Sequence, residues 1–126
     1  MNVKLWGTIL LASMVVLPAV AQNAITGTWS GNWTPKGGVP DAITIELKQD
    51  NGGMVTGKFI NPAPMEFSKA TFNAKTGIMM AEATDQKSHK HYKLEGKIEG
   101  TELKGTLAVD EATGEIRLIK WTFFGR

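Results

Sequence analysis

Residues 24–33 read AITGTWSGNW, two tryptophans set among two glycines and small polar residues. Side chains of an extended chain alternate between faces, so Ile25, Gly27, Trp29, Gly31 and Trp33 share one face and Thr26, Thr28, Ser30 and Asn32 the other. The second face is polar and suits water. The first combines the largest side chain with the smallest, so that glycines leave space and indoles fill it. A strand of this kind faces the interior of a narrow, closed, all-β structure.

The same alternation continues along the chain, and nowhere does a 3.6-residue stripe replace it. Residues 42–48 (AITIELK) set Ile43, Ile45 and Leu47 against Thr44, Glu46 and Lys48. The next stretch, Gln49-Asp50-Asn51-Gly52-Gly53, predicts a hairpin returning into residues 54–60, because Asn-Gly-Gly supplies the positive φ angles that such turns need. Asn61-Pro62-Ala63-Pro64 cannot continue a central strand. Weaker strands are expected at 66–74 and 78–84, joined by a Lys75-Thr76-Gly77 turn. Residues 92–98 alternate Tyr92, Leu94, Gly96 and Ile98 against Lys93, Glu95 and Lys97, and Glu99-Gly100 turns them into 103–109. Asp110 to Gly114 reads as a turn and 115–124 as the final strand. The connections are too short for crossover helices, so the expected fold is an eight-stranded antiparallel up-and-down meander closed into a β-barrel, which leaves no exposed edge.

Glycine recurs at the centre of these strands: Leu94-Glu95-Gly96-Lys97-Ile98, Leu103-Lys104-Gly105-Thr106-Leu107 and Val55-Thr56-Gly57-Lys58-Phe59. Either the strands bend sharply there or a neighbour approaches closely, or the hairpins merely repeat. The expected interior comprises Trp29, Trp33, Ile43, Ile45, Leu47, Val55, Phe59, Ala70, Phe72, Met79, Ala81, Tyr92, Leu94, Ile98, Leu103, Leu107, Val109, Ile119, Trp121 and Phe123. Its polar handles are the indole N–H groups and the Tyr92 hydroxyl. The last strand is apolar on both parities, with Ile116, Leu118 and Phe124 opposed to Ile119, Trp121 and Phe123. One parity is enough for a core, so the other reads as a homo-oligomer contact or as ordinary scattered surface residues.

Before the barrel comes a different kind of segment. Lys4 precedes the apolar run 5–17, and Pro18 precedes Ala19-Val20-Ala21, the small-x-small pattern of a cleavable signal peptide. Cleavage after Ala21 leaves residues 22–126 as a single secreted or periplasmic barrel domain with no membrane span. The chain has no cysteine, which excludes disulfides and thiolate metal sites. Its 14 basic and 12 acidic residues are interspersed, which gives no face for nucleic acid.

No phosphate loop, nucleophile elbow or zinc spacing occurs, and no cofactor is expected. His89 and His91 lie two apart with Asp85 nearby, but two imidazoles without a clear third ligand read better as a solvated basic loop than as a metal site. Acidic residues are dispersed on outward parities, and no Ser/His/Asp set is evident, so no catalytic residue is assigned and the protein reads as a non-enzyme.

Gly27-Thr28-Trp29, at the start of the first strand, resembles the G-x-W motif of the calycins, the superfamily of lipocalins and avidins. Ile25-Thr26-Gly27-Thr28-Trp29 is most similar to the avidin first strand, and Val55-Thr56-Gly57-Lys58-Phe59 is placed like that family's third. The resemblance implies an eight-stranded barrel with a ligand inside. It also implies a cation from the last strand over the motif tryptophan, for which Arg126 is the candidate beside Gly27 and Trp29, and Arg117 the alternative. Two departures argue against biotin: Gly31 stands where the family has a ligand-binding Asn, and Phe59 replaces a Tyr. The interior residues assigned to a small apolar or aromatic ligand are Trp29, Trp33, Phe59, Tyr92 and Trp121. Two readings stay open: a carrier of such a ligand, and a protein-interaction module (an inhibitor or envelope accessory protein) with a filled core.

Overall fold

The structure, a computed structural model, describes residues 25–121. The segment 1–21 expected to be a leader, and Phe123, Phe124 and Arg126, lie outside the described residues. Eight strands follow one another: β1 (Gly27–Pro35), β2 (Asp41–Gln49), β3 (Val55–Asn61), β4 (Met65–Phe72), β5 (Ile78–Thr84), β6 (His91–Glu99), β7 (Glu102–Val109) and β8 (Ala112–Lys120). Each pairs antiparallel with its sequence neighbour, and β8 pairs with β1 to close the barrel. The expected meander is the observed fold.

Side-chain caps hold the hairpins. Asp50 Oδ1 accepts the amides of Gly52 and Met54, both at 2.9 Å, and Gly53 adopts a φ of 86°. Asn73 Oδ1 accepts the Lys75 amide at 2.9 Å. These are the local bonds by which Asp and Asn favour turns over ladders. Between β3 and β4 the expected break falls at Asn61-Pro62-Ala63-Pro64, where proline offers no ladder donor.

The last hairpin departs from expectation. Val109 pairs with Ala112, so the turn is Asp110-Glu111 alone and β8 begins at Ala112 rather than at 115. Asp110 adopts a φ of 54°, a left-handed conformation that Asp tolerates, and its carboxylate accepts the His91 amide at 2.9 Å. Gly114 is consequently a strand residue.

This register puts Ile116 and Leu118 inside, and leaves Ile119 at 48% and Trp121 at 60% exposure. The expectation that Ile119 and Trp121 face the core is corrected. With both parities apolar, the alternation could not choose; the two-residue turn and the pairs Leu107↔Gly114, Gly105↔Ile116 and Leu103↔Leu118 do.

Inside, Trp29, Phe59, Ile45, Leu94, Leu103, Leu107 and Leu118 are fully buried. Met65, Ala83 and Ile25 join the core as well. The repeated glycines have a shared role. Gly31, Gly57, Gly96, Gly105 and Gly114 all sit on inward parity, and a Cβ at any of them would strike backbone of a neighbouring strand. Gly96 and Gly105 face each other across β6 and β7, and a Cβ on Gly96 would lie 2.8 Å from the Lys104 carbonyl oxygen. Neighbouring strands therefore approach closely at these glycines, as a tight barrel requires.

Trp29→Ala should destabilise by about 3–5 kcal/mol, as truncation of buried aromatics does. Trp121→Ala should cost about 1 kcal/mol, the worth of one exposed contact and hydrogen bond. Urea unfolding of the two variants checks the assignment, and equal losses would contradict it.

Candidate functional site

Of the five aromatic positions assigned to the interior, the structure brings four inside. Trp29 and Trp33 descend from β1, Phe59 stands on β3 and Tyr92 opens β6. The Phe59 ring meets Phe67 edge-on at 5.5 Å between centroids and Tyr92 at 5.2 Å. Such geometry favours aromatic pairs.

Neither indole offers its N–H to a ligand. Trp29 Nε1 donates to the Ile25 carbonyl at 3.0 Å, and Trp33 Nε1 to the Leu107 carbonyl at 2.8 Å. The second bond runs from β1 across the inner side of β8 to β7. Gly114, the β8 residue paired with Leu107, presents no side chain there.

Tyr92 sits near the opposite end of the barrel from Gly27, below the loops after β5 and β7. It is 7% exposed, and burial, followed by the charges of Asp85 and Asp110, pushes its phenol above the ordinary value. Lost hydration and two nearby carboxylates both disfavour phenolate, so the hydroxyl is held as a neutral donor.

Trp121 lies on the outer wall. Its amide donates to the Thr28 carbonyl at 2.8 Å, and its indole N–H to Ser30 Oγ at 2.7 Å, pinning the exposed ring against β1. Beside it, between β7, β8 and β1, runs an open groove of about 880 Å³, lined by Asn32, Lys104, Thr106, Glu115, Arg117 and Ile119 among others. Arg117 donates from Nε to Glu102 Oε2 at 2.6 Å on this outer face. Arg117 therefore does not cover Trp29, and that alternative is corrected.

The cation adjacent to the motif is Lys120, which the sequence reading overlooked. It continues the inward parity of Ile116 and Leu118, is the register partner of Trp29, and brings its Cε to 2.9 Å from where a Cβ on Gly27 would stand. Choosing the odd-numbered parity of β8 hid it. Arg126 lies outside the described residues.

The histidine pair is not laid out along one strand. His89 occupies the turn before β6 with a φ of 63°, while His91 is the first β6 residue and its Nδ1 lies 3.1 Å from Thr84 Oγ1. Asp85 spends its carboxylate on the Lys87 amide and the Ser88 hydroxyl, bonds that lower its pKa. Among the described residues, no group of three His, Asp or Glu side chains is placed to hold a metal ion.

Family models, curated proteins and solved structures give no significant match to this chain. The site is accordingly read from its own geometry.

Tyr92 is the one tyrosine of the chain, so alkaline absorbance titration reads its phenol directly. The midpoint should lie above 10.0. A raised folded-state pKa means that the stabilisation is present below pH 10.0 and is lost as the pH rises through the raised value. Tyr92→Phe should remove that component of alkaline destabilisation, and a midpoint at or below the ordinary value would place the hydroxyl in bulk water.

Proposed function

We propose that this protein is an exported, non-enzymatic interaction module whose barrel interior is a filled core and whose outer wall meets a protein partner. The observation that carries the reading is the state of the two interior indoles: both rings are buried and both N–H groups are bonded to backbone carbonyls. A carrier of a small ligand needs a few unspent polar groups converging on a pocket. Here those of β1 are already used.

The β7–β8–β1 wall has what contact surfaces use. It presents Ile119 and Arg117 in a groove and an exposed Trp121 on the same wall, with the indole held by Ser30 and the guanidinium by Glu102. Tryptophan and arginine dominate binding hot spots, and side chains fixed in advance lose less entropy on association. The parent fold is proposed to be calycin-like. The motif Gly27-Thr28-Trp29 opening β1, the closed eight-strand order, and Lys120 opposite Trp29 support that reading. Export rests on the leader pattern at 1–21.

The ligand-carrier reading keeps one observation in its favour: Phe67, Ala70 and Phe72 pack on the core yet remain only partly buried.

Native mass spectrometry of protein from the exported fraction, with tryptophan emission recorded alongside, separates the two. The expected result is a mass free of small molecules and an emission unchanged by an added apolar dye. Trp121→Ala and Arg117→Glu should weaken partner capture without lowering the unfolding midpoint appreciably. A co-purifying apolar molecule that quenches the buried indoles would overturn the reading.

A further inference from the structure

The barrel wall is not equally closed all round. The β3–β4 ladder consists of Lys58↔Glu66 and Phe59↔Met65, whereas each other ladder runs along most of its strands. Towards the end that carries Gly27, the two strands part. Val55, Thr56 and Gly57 still pair with β2, and Lys69 to Phe72 still pair with β5, but no pairs join these stretches to each other. The irregularity between Phe67 and Lys69 starts the divergence, and the Phe67 ring, lying over Gly57, marks the apex of the cleft.

Three properties define what fits there. First, two antiparallel strand edges face one another with backbone groups that no ladder among the described residues claims, the arrangement that accepts an added strand. Second, the inward side chains along the β4 lip, Phe67, Ala70 and Phe72, are packed on the core but only partly covered, which leaves apolar surface for alternate residues of an incoming chain. Third, Gln49, on β2 one strand behind the β3 lip and the register partner of Val55, is 7% exposed, and its carboxamide oxygen has no hydrogen-bond partner among the described residues. A buried acceptor left unpaired is costly until a donor reaches it.

The lips also carry a charge preference. Lys48, Lys69 and Lys75 stand exposed on the two hairpins, and Asp50, the acid of the β2–β3 turn, already accepts the Gly52 and Met54 amides. Glu82 on β5 is the register partner of Lys69, which leaves Lys48 and Lys75 as the cations of the outer lips. At the apex, Lys58 lies 3.8 Å from Glu46 and pairs with Glu66, so it adds little to that preference.

We propose that the cleft between β3 and β4 binds an extended peptide segment of another protein, apolar on one face and acidic on the other, as an added strand. This site is separate from the β7–β8–β1 wall and does not depend on it.

Three synthetic probes of equal length test the proposal on the full chain: an acetylated alternating Val-Glu peptide, its Val-Lys counterpart, and a Val-Glu peptide interrupted by proline. Binding is measured by calorimetry and mapped by backbone amide exchange. The Val-Glu peptide should bind at least about ten-fold more tightly than the proline version, which loses ladder bonds. It should also slow exchange at residues 55–57 and 67–72. Lys48→Glu combined with Lys75→Glu, both exposed on the outer lips, should reverse the preference towards Val-Lys.

Equal binding of the proline version would overturn strand addition. Protection confined to β7–β8–β1 would overturn the cleft while sustaining the interaction reading. Edge amides already protected in the free protein would mean that a second copy or another part of this chain occupies the cleft, and would overturn a foreign occupant. A small apolar molecule found inside the barrel would count against the interaction reading without touching the peptide result.

Discussion

The hydrogen bond from the Trp33 indole to the Leu107 carbonyl, 2.8 Å long, ties β1 to β7 over the inner surface of β8 and so spans the closing seam of the barrel. The β8 residue paired with Leu107 is Gly114, where a Cβ would strike the backbone of Thr34 and Pro35. Close approach recurs through the interior: neighbouring backbone crowds Gly31, Gly57, Gly96, Gly105 and Gly114, and large side chains are buried on the same inward face. An eight-stranded barrel has room for side chains or for one small guest. Trp29, Phe59 and the buried leucines point into that interior.

The two interior indole N–H groups are committed to backbone carbonyls, whereas other polar and aromatic groups stand on the outer wall and at its shortest ladder. The wall at β7–β8–β1 holds a fixed indole and a paired guanidinium. Among the described residues the joint at β3–β4 has two ladder pairs, between the proline connection and the irregularity at Phe67 to Lys69. Both surfaces are consequences of barrel geometry rather than of added loops.

Much of this was legible in the residues. Ile25, Trp29 and Trp33 face inward as their parity requires, and Ile43, Ile45 and Leu47 do the same on β2. Asp50 and Asn73 cap the turns that their neighbours announced. What misled the reading was β8, whose apolar residues occupy both parities. Trp121 and Ile119 looked like core by size, yet Ile116, Leu118 and Lys120 take the inward positions. A period of two tells which residues share a face, never which face is the inner one.

Sequence alone determined the strand count, the meander and the burial of the β1 tryptophans, because alternation, turn residues and short connections are local properties. Tertiary structure alone decided the register of β8, the partner of each indole N–H and the parting of β3 from β4. Those depend on which backbone groups meet across the closed sheet, and a one-residue difference in a single turn reverses every side chain that follows it.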